Sequence, residues 1–408
     1  MSDLPSPHRS PVLLLGLRLL AAAVAVGMTL AACSFGGTGA GSTASGGPAT
    51  PGPGATTPAS GAASGQASGS APPSAPSSAG SSGWFGGYAD VTLKPLYPFD
   101  DTNPDGKAVL AFVIADPANP CEPSWGGQYT LDRAAAELDL DQRVSRLRQK
   151  GHGVALSFGG AAGDELARAC PDAQALAQAY RKVIERYAPD VLDFDIEARN
   201  LTDVEATERR AEALRQVLGD LGPARMPQVW LTLPVTAQGL APEASAVVLQ
   251  TVRGGVDLAG VNIMTMDYEG PASGPKMLET SIKAATSTHA QLAQIFSLGQ
   301  GKEAAAWKKL GLTPMIGAND VVGETFDLQA AQGLNRFVHD RGIARLSMWS
   351  VNRDRACSPG ESLRQDGTDQ PEAADTCSGV NQKRGAFAAA LSAGLVHAAS
   401  GSAAAAGS

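Results

Sequence analysis

The stretch from residue 190 to residue 197 constrains the fold of this chain more than any other. In it, three apolar residues alternate with three carboxylates, a period typical of a β-strand with one apolar and one acidic face. The apolar members are Leu192, Phe194 and Ile196, and the acidic members are Asp193, Asp195 and Glu197. Like charges this close in a dry interior are costly unless some of the groups hold protons. The strand therefore predicts a site of carboxyl groups with shared protons and shifted pKa values, with a metal site or a solvated strand edge as alternatives.

Short apolar runs rich in Val, Ile, Leu and Phe recur along the chain, as expected for parallel strands buried on both faces. They predict eight strands, at residues 88–93, 108–115, 153–158, 191–197, 229–235, 259–266, 312–317 and 345–351. Amphipathic spacing predicts helices around residues 176–187, 214–221 and 334–338, the last one ending at Gly342. Alternation of β and α over eight repeats predicts an α/β fold, a single (β/α)8 TIM barrel.

In such barrels the functional residues lie at the carboxyl ends of the strands. The third predicted strand ends in Ser157, Phe158, Gly159 and Gly160. Paired glycines let the backbone approach the fourth strand closely and leave room beside the acids. Asn319, after the seventh strand, is a candidate for hydrogen bonding to a polar ligand, with helix capping as the alternative.

The sixth and eighth predicted strands end in further candidates. The sixth carries Met264, Asp267 and Tyr268, and the eighth ends at Trp349. An aromatic face such as that of Trp349 packs well against apolar groups of a ligand, with core packing as the alternative. For Met264, core packing is the alternative to contact with a ligand.

Together these motifs resemble glycoside hydrolase family 18, the chitinases and their relatives. The resemblance rests on the Asp-x-x-Asp-x-Asp-x-Glu spacing of residues 190–197, on Ser-x-Gly-Gly at 157–160, on Asp267 and on Trp349, and it covers residues 84–397. It implies a hydrolase that cleaves β-1,4-linked N-acetylglucosamine, with chitin or its oligosaccharides as partner and without a cofactor. Trp349 would form the floor beneath the reacting sugar, and Asp267 and Tyr268 would hold its acetamido group.

The resemblance also assigns roles to the acids. Glu197 would be the general acid, and the 2-acetamido oxygen of the substrate would be the nucleophile, an exception to the usual two-carboxylate mechanism. Asp195 would orient the acetamido group, and Asp193 would share a proton with Asp195.

The sequence departs from the family pattern at several positions. Met266 stands where a tyrosine is usual, so that Tyr268 is a substitute for it. Val191 and Ala198 stand where glycines are common. These changes affect the local backbone and leave the acids in place.

The N-terminal 83 residues do not resemble a globular domain. Residues 1–32 have a basic start, an apolar core and small residues before Cys33, which predicts a bacterial lipoprotein signal peptide with lipid attached to Cys33. Residues 33–83 are almost entirely Gly, Ser, Ala, Thr and Pro, which predicts a disordered tether, and residues 398–408 predict a similar tail. We expect an exported protein, anchored by its lipid or secreted.

The other four cysteines form an even set in an exported chain, as expected for disulfides. Proximity favours pairing Cys121 with Cys170 and Cys357 with Cys377, although three connectivities are possible. Their spacing does not suggest a zinc site, so no metal is expected. The net charge of −8 argues against a nucleic-acid partner, and we expect a monomer.

Only about 30 residues separate the seventh and eighth predicted strands. This leaves no room for the inserted domain that deepens the groove of processive relatives, so an open, endo-acting cleft is predicted. The alternatives are an endo-β-N-acetylglucosaminidase acting on N-glycans and an inactive glycan-binding barrel. Such inactive relatives typically lack the acid that Glu197 supplies here.

Overall fold

The structure is a computed structural model that describes residues 83–102, 104, 106–268, 272–359, 361 and 375–395. The predicted signal peptide, the lipidation site Cys33, the tether and the tail at 398–408 lie outside the described residues, apart from Gly83. The strands of the described part are β1 (Trp84–Asp90), β2 (Lys107–Ala115), β3 (Pro123–Trp125), β4 (Tyr129–Thr130), β5 (Gly153–Gly159), β6 (Val191–Asp195), β7 (Gln228–Pro234), β8 (Leu258–Met264), β9 (Ala272–Ser273), β10 (Leu310–Thr313), β11 (Gly317–Ala318), β12 (Glu324–Phe326) and β13 (Arg345–Met348).

Eight of these strands form a closed parallel barrel in the order β1, β2, β5, β6, β7, β8, β10, β13, and β13 pairs back onto β1. The eight predicted strands and the TIM-barrel fold class are thereby confirmed. The first strand begins at Trp84 rather than at the predicted Tyr88, because Gly86 and Gly87 pair with β13 although they lack the side chains typical of a strand. The short strand β3 pairs antiparallel with the last three residues of β2, and β4 pairs antiparallel with β3.

Helices surround the barrel between the strands. They are α1 (Phe99–Thr102), α2 (Leu131–Leu138), α3 (Leu140–Gln149), α4 (Leu166–Ala169), α5 (Ala173–Tyr187), α6 (Val204–Gly219), α7 (Pro242–Arg253), α8 (Pro275–Ile295), α9 (Glu303–Trp307), α10 (Leu328–Arg341) and α11 (Ala386–Ser392), with 3-10 turns at Ala198–Thr202, Pro223–Arg225 and Val351–Arg353. The predicted helix faces lie in α5, α6 and α10. None of the helices in the described residues has both the length and the apolarity needed to cross a membrane.

Aspartate side chains begin three of these helices. Asp172, Asp203 and Asp327 accept hydrogen bonds from backbone N–H groups in the first turns of α5, α6 and α10, at 2.7, 2.9 and 2.7 Å. Such caps satisfy donors that have no partner within the helix. At the other end of α10, Gly342 has a φ of 67°, the left-handed conformation that glycine adopts without strain, so the predicted stop is confirmed.

The apolar core has two parts. A large layer lies between the strands and the helices, and a smaller cluster fills the barrel interior. The interior cluster consists of Tyr88, Val109, Ala111, Ala155, Val191 and Trp230. On β6, Phe194 faces outward and stacks on Phe158 at 5.0 Å, while Asp193 on the opposite face bonds to side chains of the barrel interior. The strand thus has the two faces that its alternation predicts.

Both predicted disulfides are present, Cys121–Cys170 and Cys357–Cys377. The first joins the loop after β2 to the residue that follows α4, near the mouth of the barrel. Residues 314–344, which join β10 to β13, form β11, β12 and α10. The strands β11 and β12 pair with β9 in a small separate sheet.

Candidate active site

The four acids of residues 190–197 lie at successive positions along β6 and just beyond its two ends. Asp193 and Asp195 are on β6, level with Ser157 and Gly159 of β5, and are 0% and 5% exposed. Glu197 follows the strand and is half-buried in the cleft at its carboxyl end. Asp190, at the other end of β6, is half-buried and accepts a hydrogen bond from the backbone of Val154.

Asp193 is held by four hydrogen bonds. One carboxylate oxygen accepts from the Tyr88 hydroxyl at 2.7 Å and from the Ser157 hydroxyl at 2.8 Å. The other accepts from the Thr232 hydroxyl at 2.7 Å and from Nη1 of Arg345 at 2.6 Å. An ionised carboxylate offers about four acceptor positions, and all are occupied. Asp193 is therefore paired with the buried cation Arg345, and no acceptor position remains on it for the proton that we expected it to share with Asp195.

Asp195 lies one level higher, and its Oδ1 atom is buried without a hydrogen-bond partner among the described residues. Burial raises the pKa of Asp195 well above its ordinary value, and the charges of Glu197 and Asp193 raise it further, while Arg345 lowers it. Asp195 thus tends to hold a proton, with one oxygen unpaired beside the cleft. Within the described part of the chain, no three His, Cys, Asp or Glu side chains come together as a metal-binding group.

Glu197 has the protonation behaviour of a general acid. Burial raises the pKa of Glu197 to about 7, and the negative charges of Asp267 and Asp320 contribute to the shift. Near neutral pH a substantial fraction of Glu197 therefore carries a proton that it can donate.

These acids open into a cleft of about 480 Å³ at the carboxyl ends of the strands. The described residues that line it are Tyr88, Asp90, Phe112, Ala161, Ala162, Asp195, Glu197, Thr232, Pro234, Val235, Met264, Met266, Asp267, Thr313, Met315, Asp320, Trp349 and Asp375. This described part of the lining combines apolar surface with carboxylates and contains no Lys, Arg or His. Such a cleft suits a ligand with apolar faces and many hydroxyl or amide groups.

Trp349 is part of an aromatic group in this cleft. Its ring stacks on Phe112, with centroids 5.5 Å apart and planes at 25°, and meets Tyr88 edge-on at 6.1 Å. These contacts fix the indole plane while Trp349 remains partly exposed to the cleft. A rigid aromatic surface is thus available beside Asp195 and Glu197.

The structure separates the predicted substrate-binding residues into two groups. Asp267, Trp349 and Met264 line the cleft, so Met264 is not merely core filling. Tyr268, Gly159 and Asn319 are not among the described residues that line it.

The second group has other contacts. Tyr268 packs against the core between strands and helices, and its backbone N–H donates to Glu324 at 3.0 Å. The amide of Asn319 donates to backbone carbonyls of its own loop at Met315 and Gly317, at 2.9 and 3.1 Å. Asn319 therefore stabilises a turn and caps no helix. Gly159 packs its backbone against β6.

Sequence reasoning missed four residues of the site: Tyr88, Phe112, Thr232 and Arg345. Three of them bond to Asp193, and the fourth stacks on Trp349. Arg345 carried a usable signal, because an arginine within an apolar barrel strand requires a buried anion as its partner. The other three are ordinary strand residues in the sequence.

No family model matches the chain. Two curated proteins do: a probable bifunctional chitinase/lysozyme of Escherichia coli, 36% identical over 251 residues, and endochitinase 11 of Metarhizium anisopliae, 34% identical over 252 residues. Each match covers 60% of this chain, and the chain spans only 28% and 47% of the length of these relatives.

Among solved structures, the catalytic domain of a hyperthermophilic chitinase from Pyrococcus furiosus superimposes with a TM-score of 0.63 and 30% identity. The match covers 76% of this chain and 94% of that domain. Catalytic-site mutants of active domain 2 of the chitinase from that organism have also been solved with chito-oligosaccharides. The sequence is 30% identical over nearly the whole of a catalytic domain. Together with the barrel and the acid column formed by Asp193, Asp195 and Glu197, this identity places the chain in a family. It belongs to glycoside hydrolase family 18, the chitinases and their relatives.

Proposed function

We propose that this protein is a glycoside hydrolase that cleaves β-1,4 linkages between N-acetylglucosamine residues of chitin or its oligosaccharides. The observation that carries the proposal is the position of Glu197. This carboxyl group has a pKa of about 7 and lies in the cleft with Asp195 and the aromatic face of Trp349. The chitinase names of the relatives and the chito-oligosaccharides bound to the Pyrococcus domain support the choice of substrate.

In the proposed first step, Glu197 donates its proton to the glycosidic oxygen as the bond from that oxygen to the anomeric carbon breaks. The acetamido oxygen of the same sugar forms a bond to the anomeric carbon and gives a cyclic oxazolinium ion. Asp195 acts in its ionised form: its Oδ1, which has no partner among the described residues, accepts from the acetamido N–H, and its negative charge balances the positive charge. Asp267 also lines the cleft, and its charge acts on Glu197, so it is available for contact with the sugar.

In the second step the ionised Glu197 accepts a proton from a water molecule, whose oxygen attacks the anomeric carbon and opens the oxazolinium ring. The anomeric configuration is retained after two inversions, and Glu197 regains its proton. A single carboxyl group serves as acid and then as base, which suits a pKa near neutrality.

We further propose that cleavage is endo-acting. The short segment between β10 and β13 forms two small strands and one helix, and it contributes Met315 and Asp320 to the cleft without adding an inserted domain. The name of the Metarhizium relative, an endochitinase, is consistent with this mode. Products of several lengths from long oligomers support the proposal, whereas release of disaccharides alone from one end contradicts it.

Attachment of the protein to the outer face of the cell membrane through lipid on Cys33 is also a proposal, since this part of the chain lies outside the described residues. Metabolic labelling with a fatty acid tests it. We expect label on the full chain and none on Cys33→Ser. Label on both chains would place the lipid elsewhere, and label on neither would mean an unmodified export signal.

The central experiment measures hydrolysis of N-acetylglucosamine oligomers by the wild-type protein and by Glu197→Gln. Loss of a general acid lowers the rate by about 10²–10⁴-fold. Wild-type cleavage of glycoprotein N-glycans, without cleavage of chitin oligomers, would indicate an endo-β-N-acetylglucosaminidase. Binding without cleavage of either substrate would indicate a glycan-binding barrel.

A further inference from the structure

We infer that Arg345 is a positioning residue for the proposed reaction: it fixes Asp193 as a permanent anion at the base of the acid column and thereby leaves the movable proton on Asp195. The inference rests on the proposed function, because it concerns the group that balances the charge on the reacting sugar.

The guanidinium of Arg345 is 0% exposed and uses all three of its nitrogens. Nη1 donates to Asp193 at 2.6 Å, Nη2 to the Tyr88 hydroxyl at 2.9 Å and Nε to the Ser347 hydroxyl at 2.9 Å. Because Tyr88 receives this bond, its own hydroxyl proton points to Asp193. The arginine is therefore one of the four donors that surround the carboxylate, and it orients a second one, Tyr88.

The surroundings of Arg345 exclude water. The rings of Trp84, Tyr88 and Trp230 lie 5.0, 5.6 and 5.6 Å from its Cζ atom. The ionisable groups that act on Arg345 and Asp195 are Tyr88 on β1, Asp193 on β6 and Glu197 just after it; Lys107 on β2 contacts the same Trp84 ring at 5.7 Å. A buried ion pair adds little net stability compared with apolar residues of similar volume, so stability alone does not account for an arginine here.

The hydrogen bonds around Asp193 determine which carboxyl group of the acid column holds a proton. Asp193 has its acceptor positions filled, so a proton in the column belongs to Asp195, whose Oδ1 has no described partner. At low pH Asp195 holds this proton, and once the proton has been released to solvent in the cleft the Asp195 anion balances the positive charge that develops on the sugar. Without Arg345, Asp193 and Asp195 would compete for protons. The pair would then keep a proton up to a higher pH.

The experiment compares pH profiles of kcat/KM. Arg345→Gln removes the cation, and we expect the acidic limb of the profile to move up by about one pH unit or more. Arg345→Lys keeps the charge and is expected to keep the limb near its wild-type position. Asp193→Asn leaves Arg345 without its counter-ion, and the limb is expected to move in the opposite direction.

Arg210 offers a matched control, because it is also fully buried and paired, with Glu165 at 3.2 Å, but does not line the cleft. Arg210→Gln is expected to lower stability and to leave the acidic limb in place. An unmoved limb in folded Arg345→Gln, or an equal shift in Arg210→Gln, overturns the inference.

A second measurement is independent of activity. Carbon-13 NMR follows the chemical shift of each carboxyl carbon, which reports the ionisation of that group. The signals are assigned with Asp193→Asn and Asp195→Asn. We expect Asp193 to remain ionised across the stable pH range of the wild type while Asp195 titrates. Protonation of Asp193 before Asp195 refutes the inference even if the protein hydrolyses chitin. If the two aspartates titrate as expected but the protein has no hydrolytic activity, the proposed function is refuted and the inference about Arg345 stands.

Discussion

The backbone of Gly159 lies directly against that of Asp195: a Cβ atom on Gly159 would be 2.1 Å from the Asp195 carbonyl oxygen. The same oxygen accepts a hydrogen bond from the N–H of Gly160 at 3.1 Å. Gly159 also has a φ of 96°, a conformation that other residues rarely adopt. The glycine pair therefore acts on the site by setting the position of the strand that carries the acids.

We expect Gly159→Ala to displace Asp195 and to lower both activity and stability. The clash and the backbone strain together cost about 2–4 kcal/mol of unfolding free energy. Gly219→Ala is the matched control, because a Cβ at Gly219, in the last turn of α6, meets no atom within 4 Å. Denaturant unfolding of both variants tests this. Equal stabilities of Gly159→Ala and the wild type would show that β5 and β6 can separate at no cost.

The alkaline limb of the pH profile of activity depends on Glu197 and on the charges near it. Since the acid must be protonated, activity is expected to fall as pH rises through about 7. Asp267→Asn removes a charge that raises this pKa, so the limb is expected to move to lower pH. Asp375→Asn, at another carboxylate of the cleft, serves as control for the position of the limb. A limb that stays in place in Asp267→Asn would mean that another group governs it.

Glu197 also links activity to stability. Its pKa is raised from 4.5 to about 7 in the folded protein, so the folded state binds more protons than the unfolded state between these values. Stability is therefore lost as pH rises through this window, and the loss is complete above the folded pKa. Glu197→Gln escapes this loss, and we expect it to be more stable than the wild type by about 1–3 kcal/mol above neutral pH.

Thermal unfolding of the two proteins at several pH values measures that difference. It should shrink toward zero as the pH falls below 4.5, where the carboxyl group is protonated in both states. A difference that does not change with pH would point to altered packing at residue 197 rather than to its ionisation.

The sequence was sufficient to predict the barrel and the acid column, because both depend on local patterns. Alternation along β6 determines which residues face the interior, and this alternation is visible in eight residues, 190–197. The predictions for the disulfides and for the stop at Gly342 succeeded for similar reasons of proximity and backbone geometry.

The partners of the acids depend on closure of the barrel, which no local pattern specifies. Arg345 and Asp193 are separated by 152 positions, and Tyr88 and Asp193 by 105. The family motif misplaced Tyr268, because the residue after Asp267 directs its side chain into the core. Asn319 was proposed as a ligand contact because it is polar and near a strand end, yet its NH2 group donates to carbonyl groups of its own loop.

Trp349 is expected to contribute binding energy through its aromatic face. Trp349→Ala removes this face together with the stacking partner of Phe112, and the affinity for N-acetylglucosamine oligomers should fall by about 10-fold or more. Calorimetry in a Glu197→Gln background measures this affinity without turnover, and Trp349→Phe should retain part of it. Trp307→Phe is the matched control, because Trp307 stacks on His289 and does not line the cleft. Unchanged affinity in Trp349→Ala would place the sugar elsewhere in the cleft, against the polar residues around Asp267 instead of over the aromatic floor.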